Sequence, residues 1–140
     1  TLWDVKQGDI WNIVRGGPGT GVLLPLILSE GVHKGRISLQ RAVQVTATNA
    51  ARIFGLYPRK GTIQVGSDAD LVIFDPAKIQ WITHEAQHSN APYTLYEGFE
   101  CLGAPVLVMQ RGEVIVEQMQ LKSRKGQGRF FSTKIAGESV

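Results

Sequence analysis

Three stretches of this sequence carry residue types and spacings suited to chemistry. His84-Glu85-Ala86-Gln87-His88 has the spelling of a zinc-hydrolase helix, in which imidazoles at i and i+4 hold Zn²⁺ and the Glu activates water. Gly16-Gly17-Pro18-Gly19-Thr20-Gly21 lies between two apolar segments, the setting in which loop N–H groups and a helix N-terminus cradle phosphate. Asp68 and Asp70 stand two apart after Gly66, and paired carboxylates serve acid–base or metal chemistry.

Each motif also has a plainer reading, which its neighbours favour. Residues 84–88 are entered through Ile82-Thr83 and cut off by Ser89-Asn90-Ala91-Pro92, so a helix there lasts about one turn and aims its imidazoles poorly. A third ligand would have to be Glu113 or Glu117, both in an expected hairpin. After Gly21 come Val22 and Leu23, where phosphate chemistry needs a Lys and a hydroxyl. The glycines of that loop instead permit a tight turn, or expose backbone groups to a small ligand. Asp68 and Asp70 suit turn-forming bonds to backbone N–H groups.

The elements that position these residues change character along the chain. Residues 10–14 form a short apolar strand or a loop anchored by Trp11. A short buried helix is expected from Val22 through Leu28, with Thr20 as a cap, Pro25 in its first turn and Gly31 at its stop. Ser38 caps a second helix through Val45, and Thr48-Asn49 opens a third that ends at Gly55. Strands follow at Thr62–Val65, Leu71–Phe74 (closed by Asp75-Pro76) and Ile79–Thr83. A loop over 84–96 then leads to a hairpin, Val106–Met109 with Val114–Val116, turning at Arg111-Gly112. From Gln118 the chain is basic and glycine-rich, with Phe130-Phe131 as its large anchor, so it should lean on another surface.

The bulk properties exclude several classes. With 140 residues, 43% hydrophobic and 19% charged, the chain can bury one core but holds no large enzyme whole. Fifteen Lys and Arg against twelve Asp and Glu give +3, which demands no nucleic-acid partner. Cys101 stands alone, so no internal disulfide forms and a cytoplasmic location is expected. The longest apolar stretch, Val22 to Leu28, falls far short of the ~20 residues that span a bilayer. Thr1-Leu-Trp-Asp4 reads like the middle of a longer chain, which makes a fragment the expectation.

Lys60-Gly-Thr-Ile-x-x-Gly-Ser-Asp-Ala-Asp-Leu-Val-Ile-x-Asp75 resembles the segment by which metal-dependent amidohydrolases return from a catalytic barrel to a small β-sandwich. A narrower set runs in order along the chain: Pro18-Gly19, Leu24-Pro-Leu26, Ser29-Glu-Gly-Val32, Lys34-Gly-Arg-Ile37, Phe54-Gly-Leu-Tyr-Pro-Arg-Lys60, His88-Ser-Asn90, Tyr96-Glu-Gly98 and Lys125-Gly-Gln-Gly-Arg-Phe130. It is similar to D-hydantoinases and dihydropyrimidinases, and more distantly to allantoinases.

The resemblance implies an α/β parent, a (β/α)₈ barrel of ~250 residues with an attached β-sandwich. Residues 1–58 would be the last barrel helices, 59–117 the C-terminal sandwich strands, and 118–140 a basic tail packing across subunits of a homodimer or homotetramer. The family's dinuclear Zn or Mn centre uses a His-x-His pair, a carboxylated bridging Lys, two further His and an Asp. All would lie upstream of Pro18, so neither a catalytic residue nor a metal ligand is expected here. In the intact family the metals activate water to open a C–N bond of a small cyclic amide. This chain would contribute a substrate-binding backbone loop, Arg15, Gly16, Gly17 and Pro18, with Arg15 where hydantoinases usually carry Asn. The fragment alone would be inactive. Two other readings are a non-catalytic dihydropyrimidinase-related scaffold and a small zinc hydrolase built on His84, Glu85 and His88.

Overall fold

A computed structural model describes residues 7–13 and 15–132. Thr1 to Asp4, Val14 and the tail from residue 133, including Lys134, lie outside them. Residues 9–13 form a turn, not a strand: Asp9 takes the Trp11 N–H on its carboxylate and the Asn12 and Ile13 N–H groups on its carbonyl. This Asx-type closure competes with strand pairing, and Trp11 is left 84% exposed.

Helix begins at Thr20 and runs through residue 33, as a 3₁₀ turn Thr20–Val22, an α-helical turn Leu23–Leu26 and a π-helical stretch Ile27–His33. Two expectations for its ends fail. Gly19, not Thr20, occupies the cap, and it makes no side-chain cap bond. Gly31 lies inside the run, where its carbonyl accepts the N–H groups of Arg36 and Ile37 and so closes the helix end two residues later.

A second run covers residues 39–53. Ser38 caps it as expected, its hydroxyl accepting the Arg41 N–H at 3.1 Å. The expected break at Thr48-Asn49 does not occur, because the threonine hydroxyls are used elsewhere. Thr46 bonds back to the Ala42 carbonyl and Thr48 donates to the Gly61 carbonyl at 2.8 Å, within a π-helical stretch Gln44–Thr48 that joins the α-helical turns Leu39–Val43 and Asn49–Ile53. Gly61 fits beside this helix because it lacks a side chain: at φ +79°, a Cβ there would meet the Ala51 methyl at 2.5 Å.

Four antiparallel strands follow in sequence order: β1 Leu71–Ile82, β2 Phe99–Gln110, β3 Glu113–Glu117 and β4 Gln120–Leu121. Thr62–Val65 is not among them. It forms turns, with Ile63 and Val65 exposed, since no strand of the described chain pairs beside it. Leu71–Phe74 and Ile79–Thr83 are halves of one strand rather than two. Asp75-Pro76 makes a bulge, the Asp75 carboxylate capping the Ala77 N–H, and pairing with β2 resumes at Ile79. The hairpin at Arg111-Gly112 is present, and both residues take positive φ, +51° and +82°. Gln118-Met119 repeats this turn, so β4 adds a strand within the segment read as tail.

The core sits where the first helical run meets the sheet. Val22, Ile82 and Cys101 are buried together with Leu26 packed on them. Ser29 ties the seam by accepting the Leu102 N–H at 3.1 Å.

Candidate functional site

Arg15, Gly16 and Gly17 are exposed and Pro18 is half-buried, on a loop leading into the first helical run. Gly16 has φ +95°, and among the described residues no atom other than its chain neighbours' lies within 4 Å of where a side chain at 16, 17 or 19 would begin. The loop is therefore open to a ligand on its outer side. At Gly21 the chain closes up, with the Gln87 side chain against it. The 3₁₀ turn Glu85–Gln87 thus packs on the start of the helix, where the sequence pattern pointed to a phosphate cradle.

The two histidines flanking that turn point to different partners. His84 engages Glu97 twice, through its backbone N–H at 2.9 Å and its Nδ1–H at 3.2 Å. His88, in the left-handed region at φ +49°, donates Nε2–H to the Met119 carbonyl at 2.9 Å. A single 3₁₀ turn between them does not align their rings as the i, i+4 arrangement of a zinc helix requires. Both histidines tether the 84–96 loop instead, one to its far end and one to the β3–β4 turn.

Asp68 and Asp70 are not local turn acceptors. Asp68 pairs with Arg59 at 3.0 Å and Lys60 at 2.9 Å, while Asp70 pairs with Lys60 and accepts the Arg111 N–H at 2.8 Å. The Lys60 hydrogen bond is the main cause holding the Asp68 carboxyl below its ordinary range, partly opposed by desolvation and helped by Arg59. Burial pulls the Lys60 ammonium down, but hydrogen bonds and charge from Asp70 and Asp68 outweigh it, and the net direction is up. This is a structural ion-pair node joining the 59–70 segment to the hairpin tip.

Cys101 is fully buried, and desolvation, with the Glu30 charge, pushes its thiol up against a smaller pull from Ser29. A thiol held neutral in the core fills space and is a poor nucleophile. Among the described residues no three His, Cys, Asp or Glu side chains gather into a metal-ligand set. The described donors, taken by themselves, do not fit a dinuclear centre.

Residues 20–115 match the Amidohydrolase family. The chain belongs to that family. D-hydantoinase of Geobacillus stearothermophilus is 42% identical over 127 residues, covering 91% of this chain and 27% of that protein. D-phenylhydantoinase of Escherichia coli O1:K1 / APEC is 43% identical over 130 residues, 93% of this chain and 28% of its own length. The structure of D-hydantoinase from Bacillus sp. AR9 superimposes with a TM-score of 0.89 at 41% identity, over 96% of this chain and 29% of that one. This amidohydrolase chain thus spans little more than a quarter of the length of the relatives it matches, and it folds as the corresponding part of a hydantoinase. No described helix is long and apolar enough to cross a membrane.

Within this amidohydrolase segment, sequence reasoning missed the long-range polar ties: Ser29 to Leu102, Asp70 to Arg111, His88 to Met119. Each joins residues at least 31 positions apart, so no local spacing signals it. Gly61 and Gly103 were the available clues, since both mark close approaches between elements.

Proposed function

We propose that this chain is the C-terminal part of a metal-dependent cyclic amidohydrolase that opens a C–N bond of a hydantoin or dihydropyrimidine ring, and that it supplies support and a backbone contact rather than the reactive groups. The observation that carries this reading is the 42% identity to D-hydantoinase sustained over 91% of the chain. The open loop at Arg15, Gly16, Gly17 and Pro18 is the part that meets substrate. Peptide groups there hydrogen-bond the ring, and the glycines leave room for it to approach. A backbone contact tolerates Arg15 in place of Asn. The guanidinium adds a positive charge at the edge of the site, which favours rings with an electron-rich or anionic substituent.

The metal ions, Zn or Mn, are held by residues outside this chain. His84 and His88 anchor a loop, and no step of the hydrolysis passes through them. The assembled enzyme is a cytoplasmic homo-oligomer in which the basic segment from residue 118 packs across subunits through its apolar end, where Phe130 stands exposed.

The test is turnover by the full-length protein. Hydantoin or dihydropyrimidine hydrolysis dependent on Zn²⁺ or Mn²⁺ is expected, with Arg15→Ala altering KM more than kcat. Absence of turnover on any cyclic amide, with the fold intact, would place the protein instead among non-catalytic, scaffold-type relatives.

A further inference from the structure

A basic cleft lies beside the hairpin tip. Arg111, Arg124, Lys125 and Arg129 line an open cleft of about 400 Å³ together with Glu113 and Gln127. Four cations against one carboxylate leave an excess of three, equal to the net charge of the whole sequence, so the eleven remaining cations and eleven remaining carboxylates cancel. None of the four cations forms an ion pair with a described carboxylate. Lys34 pairs with Glu30, Lys122 with Glu117, and Arg59 and Lys60 with Asp68, whereas Arg36, Arg41, Arg52 and Lys78 share the lack of a described carboxylate partner; what marks the cleft is that four such cations line one concavity.

The wall of the cleft is held in place by Gln127, all of whose polar groups but its own N–H are engaged. Its carbonyl accepts the Arg111 guanidinium at 2.7 Å, its Oε1 accepts the Arg124 N–H at 2.8 Å, and its Nε2 donates to Glu113 at 3.0 Å. The last bond occupies an oxygen of the one carboxylate present. Arg111 is fixed at the other end by its own N–H on Asp70. None of these bonds sets a cationic side chain against a carboxylate, so the framework leaves the positive charge without an ion-pair partner among the described residues.

We propose that this cleft binds a multiply charged oxyanion, inorganic phosphate or the phosphate group of a small ester, independently of any hydrolytic activity. Arg124, Lys125 and Arg129 supply charge-assisted hydrogen bonds, and Arg111 presents whichever guanidinium N–H groups Gln127 does not use.

The experiment is calorimetric titration of the full-length protein with inorganic phosphate at low ionic strength, against chloride at matched ionic strength. A phosphomonoester run in parallel separates free phosphate from an esterified source. Saturable binding at one site per chain is expected, weakened at least about tenfold by the Arg124→Gln, Arg129→Gln double variant and unchanged by Lys34→Gln. Circular dichroism of the double variant checks that it stays folded. Gln127→Ala, which loosens the wall while keeping every cation, is expected to weaken phosphate by a smaller factor. Binding absent in the wild-type protein, reproduced by chloride, or indifferent to the double substitution would overturn the assignment.

Discussion

The two helical runs both carry large aliphatic residues but differ in what covers them. The first turns Val22 into the core with Ile82 and Cys101, packs half-buried Leu26 against them and buries Leu28. The second buries only its small residues, Ala42 and Ala51, while Leu39, Val43, Val45 and Ile53 stand in the open, as do Phe54, Ile63 and Val65. Burying a large aliphatic side chain contributes about 1.5–3 kcal/mol, so the first seam stabilises the described fold and the second face does not. The lesson is that this segment carries one finished interface and one unfinished one. That fits a chain spanning little more than a quarter of the relatives it matches.

The largest effect is expected at the finished seam. Ile82 is wholly buried, and Ile82→Ala should lower unfolding free energy by about 2–5 kcal/mol, seen as an earlier midpoint in urea. If Ile82→Ala proved as mild as a surface change, the contrast between the two runs would be broken. Gly103 comes next. Its φ is +97°, and a Cβ there would meet the Phe74 ring at 2.5 Å, so Gly103→Ala should cost about 1–3 kcal/mol by the same measurement.

The ion-pair node sharpens the comparison through pH. Asp68 is held below its ordinary value, so its contribution is complete above the normal carboxylate range and is lost as pH falls through the lowered value. Lys60 is raised, so its contribution is complete below the normal ammonium range and is lost as pH rises through the raised value. Asp68→Asn should therefore flatten the acid limb of a stability–pH profile, with little change to an Ile82→Ala background. An unaltered acid limb would remove the node from the account. The smallest effect belongs to the open face. Val65→Ser should move unfolding by no more than about 0.5 kcal/mol yet reduce binding of an apolar dye.

How legible all this was in the sequence depended on the range of the interaction. Ser38 as a cap and the Arg111-Gly112 turn rest on contacts within a few residues, and each is where local rules put it; the strand beginning at Leu71 pairs with distant Met109 but announced itself by its β-branched run. Thr48-Asn49 and Thr62–Val65 misled because their fate is set by distant partners: Thr48 bonds Gly61, and among the described residues Val65 finds no strand to pair with. The same logic governs the site. The His84-Glu85-x-x-His88 spelling suggested a metal helix, but Glu97 and Met119 draw the two rings apart. The family was legible because its motifs extend along nearly the whole chain, where single motifs were ambiguous.

The proposal to be tested is that this segment shapes and supports a hydrolytic site whose reactive groups lie elsewhere. Its most direct test is the hydrolysis rate of hydantoin and dihydropyrimidine substrates by the 140-residue chain alone, with Zn²⁺ or Mn²⁺ added. No turnover above the metal-only blank is expected, and turnover that scales with the amount of this chain would contradict the account.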